Sequence, residues 1–541
     1  MIKETQMKIK SLLSGILGIM ILVLSAGISS TQRVAMEQKN LEVVKLDSGL
    51  ISGLLQGGTW TYLGIPYAKP PVGDLRWKLP EAPKAWSGIR RCTKYGPSCP
   101  QPQTEASVGR MAEDCLYLNV WTPAKEPSDK LPVMVWIHGG AYVTGSGSEP
   151  TYNGLNLSKQ GVIVVTINYR LGPFGFMAHP LLSKESPKGT SGNYGLLDQV
   201  EALNWVQRNI QAFGGDPGRV TIFGESAGGQ SVNILLVSPL SKGLFQRAIS
   251  ESGLQWHFGL LVPFTPLKEA EKKGEQFAAE LGCDKAKDPV AAMRAKKPDE
   301  LIQTWGWTAT EMVIPDGIQF QPVVDGWFLP DRPEVLFKAG KQHDVPVLIG
   351  SNKNEGAPFA GLAQSKGTTV AEYKARVLGA IGELAPEVLA MFPADTDEQA
   401  YIAIANLLTQ MDFASFPRFI CESVAKTKSK AYLYQFTRVP PTKYGALLGC
   451  YHSCEMPYVF GNFVMSDGYK QEDLDLSMVM MGYWTGFASS GDPNGGGRPA
   501  WPYYGPKDQN LELGDQVRVN AGLFKAQCDL AEKIYAGCKP F

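Results

Sequence analysis

One segment decides how this chain folds: Val220-Thr-Ile-Phe-Gly224-Glu225-Ser226-Ala227-Gly228-Gly229. A short run rich in β-branched residues ends at Gly224, which predicts a strand, and a stretch with helical spacing follows Ser226. Because glycine has no side chain, the chain can turn sharply on either side of the serine. A Gly-x-Ser-x-Gly pattern between a strand and a helix is typical of a turn that presents the serine hydroxyl as a nucleophile. The alternative is a structural glycine turn.

Strands and helices alternate on both sides of this segment. Nearly unbroken apolar runs predict further strands at residues 133–138, 162–169, 345–349 and 431–436, and apolar residues at helical spacing cover 196–213. Such strands are typical of a parallel sheet that is covered on both faces. We therefore predict an α/β fold with a doubly wound, mostly parallel central sheet and helices on both faces. We interpret the loop-rich tract 265–330 as a cap or an insertion, and no linker divides the chain.

Composition argues against several classes of protein. The 541 residues include 52 Lys and Arg against 52 Asp and Glu, so no basic face for nucleic acid is expected. The 12 Trp, 20 Tyr and 22 Phe can bury more surface than a disordered chain would, which favours a large folded core. Histidines and cysteines do not cluster at zinc-site spacing, and no phosphate-binding loop is present in the sequence. We expect neither a metal nor an organic cofactor.

The amino terminus has the pattern of a secretory signal. Lys3, Lys8 and Lys10 precede the apolar stretch 12–24, and small residues follow it. The stretch is shorter than the roughly 20 residues of a membrane span, although an uncleaved anchor stays open. We expect residues 1–35 to be a signal peptide, cleaved between positions 26 and 35, and residues 36–541 to form a single catalytic domain. The protein would then be secreted or periplasmic, with no membrane association beyond export, and its cysteines would meet oxidising conditions.

A second glycine-rich loop follows the predicted strand 133–138. The segment Trp136-Ile-His-Gly-Gly-Ala-Tyr142 places small residues directly after the strand, where backbone amides can approach a ligand closely. Loops of this kind complement a nucleophilic serine by donating N–H groups to an oxyanion. The expected donors are Gly140, Ala141 and Ala227, the last because it follows the serine at the start of a helix. The alternative is an ordinary glycine turn.

Chain order restricts the choice of a general base. The histidines are His138, His179, His257, His343 and His452. In α/β-hydrolases, where serine turns of this pattern occur, the order along the chain is nucleophile, acid, histidine. Two histidines precede the serine, the third leaves little room for an acid before it, and the fourth precedes the strand 345–349. His452 follows the predicted strand 431–436, where a base is expected, and the alternative is a surface or core histidine.

The acid of such a triad should follow a strand that lies between the serine and His452. Glu355 comes shortly after the predicted strand 345–349. Asp325 and Asp344 compete by composition, but neither directly follows a strand. A solvated loop carboxylate is the alternative for Glu355, and position alone leaves the assignment open.

The chain contains three further motifs: Tyr62-Leu-Gly-Ile-Pro-Tyr-Ala-Lys-Pro-Pro71, Glu113-Asp-Cys-Leu-Tyr-Leu-Asn119 and Asn168-Tyr-Arg-Leu-Gly-Pro-Phe-Gly175. Together with the two glycine-rich loops, they resemble the type-B carboxylesterase family, the cholinesterase-like branch of the α/β-hydrolases. Within it the chain is similar to bacterial para-nitrobenzyl esterases, and the similarity runs from residue 43 to residue 541. The resemblance implies several roles and pairs: a triad of Ser226, Glu355 and His452, ion pairs Arg76–Glu113 and Arg170–Asp198, and a supporting role for Ser252.

The resemblance also implies a disulfide between Cys99 and Cys115, and Cys92 is the alternative partner for Cys115. The segment 100–114 between them contains no aromatic residue. In cholinesterases this loop is longer and has a tryptophan that receives quaternary ammonium. A choline ester is therefore not the expected substrate.

Four other cysteines raise questions of pairing. Cys421 and Cys528 are candidates for a second disulfide. Cys450 and Cys454 bracket His452, so their oxidation could disturb the predicted base.

These assignments predict a secreted serine carboxylesterase. The serine would attack an ester carbonyl, and water would hydrolyse the acyl-enzyme. The small residues Gly139, Gly140 and Ala141 leave space beside the carbonyl, so we expect esters of short-chain acids with aryl or bulky alcohols. Zero net charge favours uncharged small-molecule esters. A lipase acting at lipid interfaces is the main alternative, and a non-catalytic adhesion-type relative fits a complete triad less well. A monomer is favoured.

Overall fold

The computed structural model describes residues 41–103, 109–254, 264–309, 317–365 and 367–537. The predicted signal peptide lies outside these residues and stays a prediction, as does the extent of the single catalytic domain. Within the described ranges, no helix has both the length and the apolar character that a membrane crossing requires.

The strands are β1 (Val43–Lys45), β2 (Leu50–Ser52), β3 (Leu54–Gln56), β4 (Thr59–Pro66), β5 (Ile89–Arg91), β6 (Tyr117–Thr122), β7 (Leu131–Ile137), β8 (Ile163–Ile167), β9 (Gly215–Glu225), β10 (Arg247–Glu251), β11 (Thr265–Pro266), β12 (Val323–Val324), β13 (Val347–Asn352), β14 (Ala431–Phe436), β15 (Gln509–Leu513) and β16 (Val517–Ala521).

The α-helices are α1 (Leu155–Ser158), α2 (Gly172–Phe176), α3 (Pro180–Glu185), α4 (Tyr194–Asn209), α5 (Ala227–Val237), α6 (Leu267–Glu280), α7 (Pro289–Ala295), α8 (Pro298–Trp305), α9 (Pro333–Lys338), α10 (Ala357–Ser365), α11 (Val370–Ile381), α12 (Ala385–Met391), α13 (Asp397–Leu407), α14 (Ser415–Val424), α15 (Lys443–Leu448), α16 (Met456–Phe460), α17 (Gln471–Ser490) and α18 (Lys525–Gly537).

Eleven of the strands form one central sheet, in the order β16-β15-β14-β13-β10-β9-β7-β8-β6-β4-β3. From β15 to β8 every neighbouring pair is parallel. Antiparallel strands close both edges of the sheet. The five strands predicted from the sequence are present as β7, β8, β9, β13 and β14. The predicted doubly wound, mostly parallel sheet is therefore confirmed.

The central strands are apolar along their whole length because each supplies two cores. On β7, Val133, Val135 and Ile137 join the core that contains the inner faces of α4 and α5. Met134 and Trp136, which point the other way, join a second core with the inner face of α17. Each fully buried side chain of this kind contributes about 1.5–3 kcal/mol. Helices on both faces thus account for the unbroken apolar runs in the sequence.

The interpretation of residues 265–330 as a loop-rich tract is wrong, because much of it is helical. It contains α6, α7 and α8. Pro289 and Pro298 are the first residues of α7 and α8, and Gly306 ends α8 in a left-handed conformation. Proline suits the first turn of a helix and glycine suits the residue after its end. The residues that resembled loop composition are therefore helix boundaries.

The register of the parallel strands brings their carboxyl ends into one row. Gly224 of β9 pairs with Ile137 of β7 and with Ser250 of β10. One position further, Glu251 of β10 pairs with Gly350 of β13. The loops that follow these strands therefore leave the sheet at the same edge, which is where the predicted site residues lie.

The two ion pairs implied by the family resemblance are present, and Arg170–Asp198 is fully buried. Arg170 Nε donates to Asp198 Oδ2 at 2.8 Å, and its Nη2 donates to Oδ1 at 2.7 Å. The backbone N–H of Arg170 adds a third bond to the same carboxylate at 3.0 Å. Arg76 makes a similar two-pronged contact with Glu113, at 2.6 Å for both bonds. Both predictions are confirmed.

Removing the acid of the buried Arg170–Asp198 pair should lower the free energy of unfolding. Asp198→Asn leaves the guanidinium of Arg170, whose side chain is only 3% exposed, without its countercharge. We expect a loss of about 3–5 kcal/mol in the free energy of unfolding, measured by urea denaturation. The control is Glu387→Gln, which breaks a pair with Lys533 whose side chains are 53% and 57% exposed and should cost less than about 1 kcal/mol. Equal losses in the two variants would contradict the argument.

Candidate active site

Ser226 occupies a strained turn between β9 and α5. Its backbone has φ +57° and ψ −124°, a combination that L-residues rarely adopt. The turn is held on both sides: the N–H of Ser226 donates to Glu251 O at 2.9 Å, and its carbonyl accepts from Gln230 N at 2.8 Å. Ser226 is partly exposed, while Glu225 and Ala227 on either side of it are buried. The predicted strand–turn–helix arrangement is confirmed.

Two glycines allow the serine turn and the second glycine-rich loop to pack directly together. A Cβ at Gly228 would lie 2.0 Å from the carbonyl oxygen of Ile137, and one at Gly139 would lie 2.8 Å from the carbonyl oxygen of Glu225, next to Ser226. Both distances are shorter than real side chains allow, so each position requires glycine. Gly228 in the serine turn and Gly139 in the second loop therefore allow the two segments to pack closely.

The expected oxyanion donors are arranged as backbone N–H groups beside the serine turn. Gly140 and Ala141 have φ of +99° and +57°, and the Gly140 carbonyl is turned away to accept from Val143 N and Thr144 N, both at 2.9 Å. Across the described residues, no acceptor contacts the N–H of Gly140 or Ala141. Ala227 is the first residue of α5, where a helix amide has no intrahelical acceptor. These three amides are available to a ligand.

Neighbouring side chains brace this loop. His138 stacks on Tyr169 with ring centroids 4.4 Å apart, and Tyr169 Oη donates to His138 O at 2.8 Å. Gln101 pairs with the backbone of Gly145 in both directions: its Nε2 donates to the carbonyl at 3.0 Å, and its Oε1 accepts from the N–H at 2.8 Å. Gln321 Nε2 donates to Ala141 O at 3.0 Å. Each brace fixes a peptide plane near the donor amides.

His452 and Glu355 are brought together as predicted. His452 Nδ1 donates to Glu355 Oε2 at 2.5 Å, and the Glu355 side chain is fully buried. Glu355 Oε1 accepts from Asn352 N at 2.6 Å and from Ser252 Oγ, which gives the implied supporting serine a direct contact. The carboxylate is therefore held by three donors and orients the imidazole.

The two competing acids have other partners. Asp325 Oδ1 caps a turn by accepting from the N–H groups of Trp327, Phe328 and Leu329 at 2.8–3.0 Å. Asp344 Oδ1 accepts from Ser429 N at 3.0 Å in an exposed loop. Only Glu355 of these three candidates contacts His452.

Two phenylalanines enclose the histidine ring. The ring centroids of Phe359 and Phe413 lie 5.2 and 5.0 Å from that of His452. Phe359 belongs to α10, and Phe413 ends a π-helical segment, Leu408–Phe413, between α13 and α14. Because these rings exclude water, charges near His452 act through a low dielectric.

Sequence reasoning missed Glu225, the residue directly before the serine. Its Oε1 lies 3.2 Å from His452 Nε2 and accepts from Ser453 Oγ at 2.5 Å. Burial by itself lowers the pKa of His452, but Glu225 and Glu355 outweigh burial and raise it to about 9. A signal for Glu225 was present in the sequence, because it is the charged residue inside the Gly-x-Ser-x-Gly pattern, directly before the serine.

Two further buried carboxyl groups, Glu251 and Glu455, interact electrostatically with Glu225. Glu251 Oε1 accepts from Trp484 Nε1 at 3.2 Å, and Glu455 Oε2 accepts from Asn352 Nδ2 at 2.5 Å. Burial, followed by neighbouring glutamates, raises the pKa of both groups well above the usual range for a carboxylic acid. In the described part of the chain, no three His, Cys, Asp or Glu side chains are arranged to hold a metal ion.

The cysteines follow the prediction in part. Cys99 and Cys115 form the expected disulfide, and the competitor Cys92 is a free, buried thiol. The suggested second bridge between Cys421 and Cys528 is wrong, because both are free thiols. The sulfur of Cys528 faces backbone carbonyls instead, at 3.6 Å from Leu523 O and 4.0 Å from Gln410 O.

The chain is similar to known esterases over most of its length. It matches the model described as "Carboxylesterase family" over residues 40–531. It is 38% identical over 494 residues to fumonisin B1 esterase from Sphingopyxis macrogoltabida, with 88% of this chain and 87% of that protein covered. It is 37% identical over 500 residues to para-nitrobenzyl esterase from Bacillus subtilis (strain 168), with coverage of 88% and 96%.

Solved structures agree with this similarity. A structure described as PNB esterase superposes with a TM-score of 0.79 at 34% identity, covering 91% of this chain and all (100%) of that one. The resemblance derived from the sequence and the α/β-hydrolase fold are both confirmed. The chain belongs to the carboxylesterase family and is a carboxylic ester hydrolase.

Proposed function

We propose that this ester hydrolase works through an acyl-enzyme formed on Ser226, with His452 as general base and Glu355 as the acid that orients it. The observation that carries the proposal is the placement of His452. Its Nδ1 lies 2.5 Å from Glu355 Oε2, while its Nε2 faces Glu225, the residue next to Ser226. The imidazole therefore has one nitrogen on the acid, as in a triad, and its second nitrogen against Glu225, the residue next to Ser226.

The reaction begins when His452 Nε2 takes the proton of Ser226 Oγ and the oxygen attacks the ester carbonyl. The N–H groups of Gly140, Ala141 and Ala227 stabilise the negative charge on the former carbonyl oxygen. His452 then returns the proton to the leaving alcohol. Water attacks the acyl-enzyme by the same route and releases the acid.

Glu225 has a separate part in this scheme. During each attack His452 becomes an imidazolium, and Glu355 and Glu225 contact its two nitrogens. The two carboxylates stabilise the cation, but they also favour its protonated form before substrate binds. The base is therefore most available at alkaline pH.

The proposed substrates are uncharged small-molecule esters of short-chain acids with aryl or bulky alcohols. The donor loop consists of Gly139, Gly140 and Ala141, which add little bulk beside the carbonyl. Phe359 and Phe413 provide an apolar wall next to His452. Relatives described as para-nitrobenzyl esterase and fumonisin B1 esterase support an aryl-substituted or bulky ester.

We further propose that the enzyme is exported and acts as a monomer. The Cys99–Cys115 disulfide supports export, because disulfides persist mainly in oxidising compartments. The monomer rests on the sequence alone, and size-exclusion chromatography with light scattering would test it.

Removal of the triad members should abolish turnover. Ser226→Ala and His452→Ala should each lower kcat by at least about 1,000-fold, since triad members act as a unit. Glu355→Gln should lose less, because the serine and the imidazole remain. Hydrolysis of p-nitrophenyl butyrate and circular dichroism of each variant would be measured, with Ser490→Ala at the exposed end of α17 as control. More than a few per cent of residual activity in a folded serine or histidine variant would refute the assignment.

The pH profile tests the part proposed for Glu225. The base must be neutral to accept a proton, so kcat/KM should rise with pH through an inflection near 9, the pKa of His452, and level off above it. Glu225→Gln removes one of the two carboxylates that raise this pKa, so the inflection should move to lower pH by about one unit or more. The matched control is Glu334→Gln, a buried carboxylate paired with Arg332. An unchanged inflection in Glu225→Gln would exclude this part for Glu225.

A substrate panel tests the proposed ester class. We expect fast hydrolysis of p-nitrophenyl acetate and butyrate and measurable turnover of tert-butyl acetate, because Gly139, Gly140 and Ala141 leave space beside the carbonyl, and weak activity on triolein. Rates would be corrected with Ser226→Ala enzyme. Triolein as the best substrate would instead indicate a lipase. No turnover of tert-butyl acetate beside fast acetate hydrolysis would contradict the argument from space.

A further inference from the structure

The two cysteines that bracket His452 lie with their sulfur atoms in contact. Cys454 Sγ is 3.8 Å from Cys450 Sγ. Both residues are buried, at 0% and 3% exposure. The intervening chain folds back on itself, since Cys454 N donates to Tyr451 O at 3.2 Å and Ser453 has a φ of +69°. This turn, residues 450–454, presents the imidazole and ends at two adjacent thiols.

The two ends of the turn are fixed to different parts of the fold. Cys450 makes two hydrogen bonds with Asn354, the neighbour of Glu355: its N–H donates to the side-chain Oδ1 at 3.0 Å, and its carbonyl accepts from Asn354 N at 2.9 Å. Its thiol donates to Phe436 O at the end of β14, at 3.0 Å. Cys454 lies at the other end, just before α16, with Asn352 Nδ2 3.8 Å from its sulfur. A bond between the two sulfurs would therefore join the strand side of the turn to its helix side.

We propose that Cys450 and Cys454 form a second disulfide in the oxidised enzyme, and that this bond tethers the turn carrying His452. The sulfurs must approach from 3.8 Å to about 2 Å, which is within the reach of side-chain rotation. The bond would link Cys450 to Cys454 and leave the contacts of the imidazole with Glu355, Phe359 and Phe413 in place. The oxidised enzyme is therefore catalytically competent.

The bond forms by thiol–disulfide exchange with an external disulfide, either a small molecule such as glutathione disulfide or a protein. One cysteine thiolate attacks a sulfur of that disulfide, expels one thiol and leaves a mixed disulfide. The second thiolate attacks the protein sulfur and expels the other thiol. The protein loses two electrons and two protons, and the external disulfide is reduced to two thiols.

Burial determines when this exchange takes place. Burial and the adjacent Cys450 thiol raise the pKa of Cys454 well above its usual value, so little thiolate is present in the folded protein. Exchange must therefore occur while the chain folds, before the turn is covered. The Cys99–Cys115 disulfide requires the same conditions, so an enzyme that contains it has already met a disulfide donor.

Peptide mapping tests the bond directly and does not depend on the role assigned to His452. Enzyme refolded with reduced and oxidised glutathione is denatured with iodoacetamide and digested with trypsin without reduction. Both cysteines fall in the single peptide 444–470. We expect this peptide to be unalkylated and lighter by two hydrogen atoms than the dithiol. A doubly alkylated peptide 444–470, in a sample where Cys99 and Cys115 are linked, would overturn the proposal.

Thermal inactivation tests the tether, and this arm rests on the proposed function of His452. The double variant Cys450→Ala/Cys454→Ala should lose esterase activity on heating at least about two-fold faster than the oxidised wild type. Cys421→Ala, which removes a buried thiol elsewhere, is the matched control. A phosphine reductant should accelerate the loss more in the wild type than in the double variant, since both lose Cys99–Cys115 but only the wild type has the second bond. Equal acceleration would overturn the tether.

Discussion

The parallel register of the central strands is the constraint on which the candidate site depends. Glu225 at the end of β9 pairs with Glu251 at the end of β10, which pairs with Gly350 of β13, which pairs with Tyr434 of β14. Consecutive parallel strands that end in one row send their next residues into one space. Ser226 and Ser252 are the residues immediately after two of these strands, and Glu355 follows the third. A shift of one position in any pair would point these side chains away from each other.

The close packing at this edge leaves little room for side chains between the loops, and backbone groups take their place. Gly139 and Gly228 let two turns approach to distances that a Cβ would forbid. The positive φ of Ser226 and Ala141 is the cost of aiming a hydroxyl and amides into the same space. A hydrogen bond from Ser226 N to Glu251 O and one from Gln321 Nε2 to Ala141 O hold these strained positions, and the Cys99–Cys115 loop contributes through Gln101. Rigid support of this kind is what an oxyanion site requires.

Electrostatics at the site are dominated by one imidazole among several buried carboxyl groups. A pair of opposite charges about 4 Å apart contributes about 4 kcal/mol at an effective dielectric of 20, so two carboxylates can exceed the penalty of burying one imidazolium. Burial, and after it repulsion between neighbouring glutamates, raises the pKa of Glu251 and Glu455. Glu225 and Glu355 instead contact the two nitrogens of His452. The resting site thus favours a protonated base enclosed by Phe359 and Phe413.

Local patterns predicted the fold and the serine turn because both depend on short segments of sequence, whereas the complete candidate triad followed from the family resemblance. Apolar runs identified β7, β8, β9, β13 and β14, and Gly-x-Ser-x-Gly identified the turn at Ser226. Composition misled where proline and glycine mark helix ends, as in α7 and α8. It also misled at Cys421 and Cys528, since the presence of two cysteines does not report whether their sulfurs face each other.

The sequence by itself determined the alternation of strands and helices and the serine turn, since each depends on neighbours within a few positions. It also determined the order of the three candidate catalytic residues along the chain. Only the tertiary structure decided that Glu355 rather than Asp325 contacts His452, that Glu225 lies against the second imidazole nitrogen, and that the sulfurs of Cys450 and Cys454 meet. The reason is physical: these contacts join residues from separate loops or depend on side-chain direction. Strand register, turn geometry and burial set such distances, and no local pattern contains them.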